Sequence, residues 1–227
     1  MTDIIPLSDP RVAGVTEREC GEPLVDLREV PELLLDPRQA DDTGAYAHLR
    51  SGALRRLLRA QRLLPAGVRF LVVEGYRPPD LQRRYFESYA ATMRKAHPGA
   101  APALIRELAS AYISPPEVAP HVSGGAVDLT LCTEDGTELP LGTEVNATPE
   151  ESEGACRTAA PGIDAEARAN RTLMDRALTA TGFVNYPTEW WHWSYGDRYW
   201  ALLRHAPAAR YGPADPPAPP ARSARTA

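Results

Sequence analysis

The chain lacks a basic excess, a long apolar run and a cysteine framework, and each absence removes a class of protein. Its 227 residues carry 25 Lys and Arg against 30 Asp and Glu, a formal net charge of -5. A domain that grips nucleic acid by its phosphates needs the opposite balance, so no nucleic-acid partner is expected. No apolar stretch approaches the roughly 18 residues of a membrane span, so no membrane partner is expected either. The opening MTDIIPLSDP has acid where a secretory signal carries base, and no apolar run follows it. The expectation is a cytoplasmic protein. Cys20, Cys132 and Cys156 are odd in number, far apart and form no C-x-x-C pair, which argues against a disulfide scaffold or a zinc ribbon. No repeat of solenoid period is evident.

What is present is an ordinary apolar content of 43% in a length that suits one well-buried domain. Proline is frequent, 23 residues where about 5% is typical, and it gathers at the end of the chain. Residues 214–227 are rich in Pro and Ala with little to build a core, and read as a disordered tail behind a domain of residues 1–213.

Between the prolines, apolar spacing places the elements. Tyr46 to Leu64 has helical spacing through Leu49, Ala53, Leu54, Leu57, Leu58 and Gln61, ended by Pro65 and Gly67. A strand follows from Val68 and stops before Arg77-Pro78-Pro79. Asp80 then reads as the N-cap of a helix with Leu81, Tyr85, Tyr89 and Met93 on one stripe. A shorter helix runs near Leu104 to Tyr112, a strand over Ala126 to Leu131, a helix over Asp164 to Thr181 closed by Gly182, and an extended aromatic segment over Phe183 to Tyr195. Strands and helices alternate without a regular βαβ period, so the expected class is a single α+β domain.

Three segments put polar groups where a bland fold would put apolar ones. In PHVSGGAVDLTL, Val127, Leu129 and Leu131 face one way and Ala126, Asp128 and Thr130 the other. Asp is disfavoured in mid-strand unless something compensates it. His121, seven residues upstream across Ser-Gly-Gly, is placed to join Asp128 on one Zn²⁺, the alternative being a loop histidine beside a hydrogen-bonded aspartate. In TEWWHWSYGDRYW, all four Trp residues crowd around Glu189 and His192. A desolvated aromatic wall raises a carboxylate pKa and suits a general base; an aromatic core patch is the simpler alternative. A flat strand would point Glu189 and His192 to opposite faces, so a shared metal requires a turn between them. In VVEGYRPPD, Arg77 ends a strand and is held extended by proline, ready to stabilise an oxyanion or merely to pair with Glu74 or Asp80. Together these are the parts of a mononuclear zinc hydrolase.

These residues resemble the D-alanyl-D-alanine dipeptidases, VanX-type zinc peptidases related to the D,D-carboxypeptidases and the Hedgehog fold. The resemblance runs from about Val25 to Tyr211 and rests on EGYRP, on the His-x6-Asp strand ending in DLTL, and on EWWH. It implies a small antiparallel sheet carrying one Zn²⁺ per chain, with helices packed on it. It further implies zinc ligands His121, Asp128 and His192, Glu189 as the base toward a metal-activated water, and Arg77 at the developing oxyanion. The implied reaction is hydrolysis of D-Ala-D-Ala or a closely related small dipeptide, in the setting of the cell wall.

The departures fall on substrate binding. Better-known members carry a serine two residues before the first histidine, where this chain has Ala119, with Ser123 as a possible substitute. They carry an aspartate for the substrate amino group where LGTEVN ends in neutral Asn146, and their Y-A-T-x-N-N-F segment is not recognisable after Val25–Arg28. Ser123, Asn146, Trp190 and Trp191 are therefore the candidate substrate contacts. Three rivals stand beside the main reading: a related metallopeptidase or amidase acting on another small peptide, an Fe(II) site built from the same ligands, and a zinc-binding module without catalysis. Glu189 argues against the second, and Glu189 with Arg77 against the third. His48, His97 and His205 read as solvated or locally bonded, Cys132 as a buried inert thiol, and Cys156 as a loop thiol open to solvent. The acidic run Glu150 to Glu153 reads as a solvated loop, with a lid as the sharper alternative.

Overall fold

The structure, a computed structural model, describes residues 4–217. In chain order the strands are β1 (Leu24–Asp26), β2 (Leu34–Leu35), β3 (His48–Arg50), β4 (Val68–Glu74), β5 (Ala126–Thr133), β6 (Val184–Asn185) and β7 (His192–Ser194). The helices are α1 (Pro10–Ala13), α2 (Ser51–Gln61), α3 (Pro79–Ala96), α4 (Pro102–Ser110), α5 (Ala165–Ala180) and α6 (Arg198–Leu203). The result is the α+β domain that the sequence implied.

The main sheet has the order β2-β4-β5-β7-β6 and is antiparallel except at the β2–β4 edge, while β1 and β3 form a separate antiparallel pair. Period-two alternation on β5 divides the sheet into two faces. Val127 and Leu129 join Phe70, Val72 and Trp193 in the core, against Leu54 and Leu57 of α2 and Met174 and Leu178 of α5. Each such side chain contributes roughly 1.5–3 kcal/mol on burial. Asp128 and His192, direct cross-strand partners, take the opposite face. On the other side of β5, Val72 pairs with Leu129 and Glu74 with Asp128, which leaves Val73 as an extra residue in a β-bulge. Bulges re-aim side chains at sheet ends. Here the bulge puts Glu74, Asp128 and His192 on one line across three strands.

Several expected elements change. The helix expected from Tyr46 begins at Ser51, and His48 lies in a strand. The backbone of residues 46–50 is committed elsewhere: it pairs with β1, and the carbonyls of Tyr46 and His48 accept from Gly75 N and Tyr76 N, both at 2.7 Å. On α3 the buried face is Gln82, Phe86 and Ala90, one position round from the expected stripe. Asp80 sits inside the first turn, bonded to exposed Arg83, and caps nothing. The aromatic segment is a hairpin of two short strands with a turn between them. Cys156 is buried, not open to solvent, because the loop that carries it folds under Trp190. Ala214, first residue of the expected tail, is also buried: its N–H donates to Val122 O and its carbonyl accepts from Tyr76 Oη, each at 2.9 Å. Residues 218–227 of that tail lie outside the described residues. Among the described residues no helix is long and apolar enough to cross a membrane.

Candidate metal centre

His121 enters the site from a 3-10 turn, Pro120–Ser123, whose last residue is followed by Gly124 at φ 69°. The backbone there reverses in the left-handed region that glycine tolerates. The turn is then locked to the end of β4 twice over. His121 Nδ1 donates to Gly75 O at 2.6 Å, and Arg77 N donates to His121 O at 3.2 Å. With Nδ1 committed to a carbonyl, Nε2 is the nitrogen left with a free lone pair.

Glu189 and His192 meet as the sequence required, through a turn. Glu189 N donates to Tyr186 O at 2.9 Å, and His192 N donates to Glu189 O at 3.3 Å. The Asn185 amide staples this turn by donating to Glu189 O and His192 O, at 3.0 and 2.9 Å.

Three ligand atoms converge. His121 Nε2 and His192 Nδ1 are 3.2 Å apart, and they lie 3.3 and 2.9 Å from Asp128 Oδ1. A tetrahedral zinc with bonds of about 2.0–2.1 Å has ligand-to-ligand edges of about 3.3–3.4 Å, so the spacing fits the ion. The remaining nitrogen of His192, Nε2, is buried with no partner among the described residues. The chemistry of the donor set agrees: two imidazoles and one carboxylate gathered in a buried pocket call for a cation.

The titration behaviour follows from the same crowding. Burial alone would lower the His121 pKa, but the Asp128 carboxylate outweighs it and holds it above the ordinary value. Asp128 shows the mirror effect: burial would raise it, and the two imidazoles, His121 foremost, hold it well below the usual carboxylate range. Burial pushes Glu189 up to about 7, reinforced by Asp128 and opposed by His192 and Arg77. Arg77 forms a bidentate pair with buried Glu74, with Nε donating to Oε1 at 2.7 Å and Nη2 to Oε2, while Nη1 donates to Gln82 Oε1 at 2.7 Å. Burial works against its charge, and Glu74 more than restores it, keeping Arg77 above its ordinary value. Three of the five guanidinium N–H groups are used, so two remain.

These groups line one small cleft of about 180 Å³. Pockets that hold drug-sized ligands run to about 300–1,000 Å³, so this one suits a smaller molecule. His121, Asp128, His192, Glu189 and Arg77 all reach it, as do Asn146, Trp191 and Ala119. Trp190 and Ser123 do not. The Trp190 ring belongs to the core, its Nε1 donating to Thr143 Oγ1 at 2.7 Å. Ser123 spends its hydroxyl inside its own turn, donating to Pro120 O at 2.7 Å and accepting from Gly125 N at 3.0 Å. Gln82 and Tyr85 of α3 were not foreseen as lining residues. Gln82 had a signal: it lies four and eight residues before Phe86 and Ala90, a polar group on a buried helical stripe. Asp80 is far more exposed than Glu74 and plays no part in holding Arg77.

Two imidazoles, a carboxylate, a second carboxyl of raised pKa and a fixed guanidinium are the groups that hydrolysis by a metal-activated water requires, the chemistry of the metal-dependent hydrolases. Comparison with known proteins narrows that class. The family model described as D-ala-D-ala dipeptidase, of the M15 peptidases, matches residues 42–207, and the chain belongs to that family of zinc metallopeptidases. A D-alanyl-D-alanine dipeptidase of Synechocystis is 28% identical over 216 residues, 81% of this chain and 86% of the relative. A D-alanyl-D-alanine dipeptidase of Escherichia coli is 36% identical over 72 residues, 32% of this chain and 35% of the relative. Among solved structures, a vancomycin-resistance D,D-pentapeptidase VanY in complex with Zn(II) is similar at a TM-score of 0.41 and 18% identity, covering 73% of this chain and 81% of that one.

Proposed function

We propose that this metallopeptidase hydrolyses D-Ala-D-Ala or a closely related small dipeptide, using one zinc ion per chain held by His121, Asp128 and His192. The observation that carries the reading is the meeting of those three ligand atoms with Glu189, a carboxyl pushed up to about 7, in one cleft of about 180 Å³. Zinc bound there supplies Lewis acidity, bringing the pKa of water into the neutral range and polarising the scissile carbonyl.

The chain's own groups supply the rest. Glu189 takes the proton from the attacking water and returns it to the departing amine; a pKa near the working pH serves both transfers. Arg77, fixed in direction by Glu74 and Gln82, offers its two remaining N–H groups to the oxygen that gains negative charge. Asn146 and Trp191 border the space left for the dipeptide, and Trp191 keeps that wall apolar. A peptide or amide other than D-Ala-D-Ala is favoured by one observation: Ala119 and Asn146 present neither a hydroxyl nor a charge to the cleft.

The deciding experiment measures zinc per chain and release of alanine from D-Ala-D-Ala and its stereoisomers. About one zinc per chain with D-alanine release supports the reading. One zinc with no turnover on any alanine dipeptide transfers the same machinery to another amide, and no zinc uptake removes the mechanism.

A further inference from the structure

Arg171 of α5 is a buried cation with no carboxylate partner among the described residues; it is only 4% exposed. Burial pushes its pKa down to about 10, so it stays charged at neutral pH. A desolvated charge without a counter-ion is costly unless hydrogen bonds replace the lost water. Here backbone carbonyls do so. Nε donates to Leu141 O at 2.7 Å, Nη1 to Arg157 O at 2.7 Å and Nη2 to Ala155 O at 2.9 Å. Those acceptors belong to the two ends of the irregular 141–158 segment, a loop long enough to need a reason. Gly142, at φ 89°, packs the start of this loop tightly: a Cβ there would stand 2.8 Å from Ile163 Cγ2 and 3.3 Å from Arg171 Nη2.

Arg171 and the clamped loop together make three contacts with Trp190, the neighbour of Glu189. Arg171 lies over the Trp190 ring, 5.4 Å from its centroid. Trp190 N donates to Cys156 O at 3.0 Å, and its Nε1 donates to Thr143 Oγ1 at 2.7 Å. Trp190 follows Glu189 directly in the chain. Farther along the loop, Asn146 reaches the cleft, and its carbonyl accepts from Tyr112 Oη at 2.9 Å.

We propose that Arg171 is a positioning residue for the cleft: by tying both ends of the 141–158 loop together and seating it on Trp190, it holds Glu189 and Asn146 in their working places. The inference rests on the proposed role of Glu189. Its test uses the zinc-loaded full chain and the variants Arg171→Met, Arg171→Lys and Thr143→Val. Zinc per chain, kcat and KM on D-Ala-D-Ala, and hydrogen exchange across 141–158 are compared.

Arg171→Met is expected to keep zinc and the exchange protection of α2 and β4. Exchange in the loop rises, and kcat per zinc-loaded chain falls by about 10- to 100-fold with a smaller change in KM. Arg171→Lys does not restore kcat, because an ammonium cannot span the separated carbonyls. Thr143→Val moves both readouts in the same direction by less. A merely structural residue would lower stability and leave kcat per zinc-loaded chain within about twofold, and that result overturns the proposal. If Arg171→Met does not fold, the other two variants decide by the same criteria. If the parent chain turns over no alanine dipeptide, the proposed reaction fails separately, and unchanged loop exchange in the variants still overturns the role of Arg171.

Discussion

Glu189 and Asp128 share one cleft and are driven in opposite directions by it. Two imidazoles stabilise the charge on Asp128 enough to outweigh its burial, whereas burial of Glu189, reinforced by Asp128, outweighs the attraction of His192 and Arg77. That division suits the proposed roles, since a carboxylate ligand binds a metal as the anion and a base must exchange its proton. Replacing Glu189 with Gln keeps the shape and removes the base. The expected outcome is full zinc content and unchanged circular dichroism, with kcat lowered by about 10²–10⁴. Near-normal turnover in that variant would assign the proton transfer elsewhere. The pH dependence follows with a definite sign. The active form is ionised, so kcat/KM falls as pH drops through the Glu189 pKa. Bound zinc adds attraction for the carboxylate, so the limb is expected above the ordinary 4.5 and no higher than about 7. A profile from pH 4 to 9, with zinc content checked at each point, reads it. A rate per zinc-loaded chain that stays flat down to pH 4 would refute the assignment.

Elements bring these residues together, and there the sequence was only partly readable. The alternation of β5 announced which face would carry Asp128, and the turn between Glu189 and His192 was demanded by their spacing. The bulge at Val73 had no such signal, because it arises from pairing between strands more than fifty residues apart in the chain. The buried face of α3 lies one position round from the stripe its apolar spacing implies, for a related reason. Tyr85, Tyr89 and Met93 are as apolar as the true buried residues, and only the docking of α4 and Arg77 selects Gln82, Phe86 and Ala90. Ser123 looked like a substrate contact by its type, but local backbone groups claimed its hydroxyl first. Gly75 gives the element scale its test. Its N–H bonds Tyr46 O and its carbonyl accepts from His121 Nδ1, and an added Cβ would overlap the His48 carbonyl oxygen. Gly75→Ala is therefore expected to cost about 1–3 kcal/mol of stability and to weaken zinc binding as well, since the shifted strand end carries the His121 lock. Denaturant unfolding and zinc titration of the same variant check both. Lost stability with unaltered zinc affinity would show that the lock is dispensable.

At the scale of the molecule, segments near both ends of the described residues meet through contacts that involve none of the proposed metal ligands. Glu19 accepts from Gly212 N at 2.9 Å and from Arg50 Nη2 at 3.0 Å, while Glu22 binds the Tyr211 hydroxyl and Arg55. Tyr76 reaches Ala214, and the shared core runs from Leu27 to Tyr211. Two of the three proposed ligands, Asp128 and His192, sit on strands already paired to each other. The sheet is therefore expected to assemble without the metal, whose proposed work is to neutralise the converging ligands and to do chemistry. Chelation is expected to abolish turnover while the near-ultraviolet signal of the buried Trp residues persists at 25 °C. Zinc returned at about 100 times its Kd adds about 2.7 kcal/mol, which for a chain of this size raises Tm by about 5–10 °C. Thermal scans of chelated and reloaded protein measure this directly. Loss of the tryptophan signal on chelation alone would mean that the ion builds the fold as well as serving the reaction, as in domains that are unfolded without their metal.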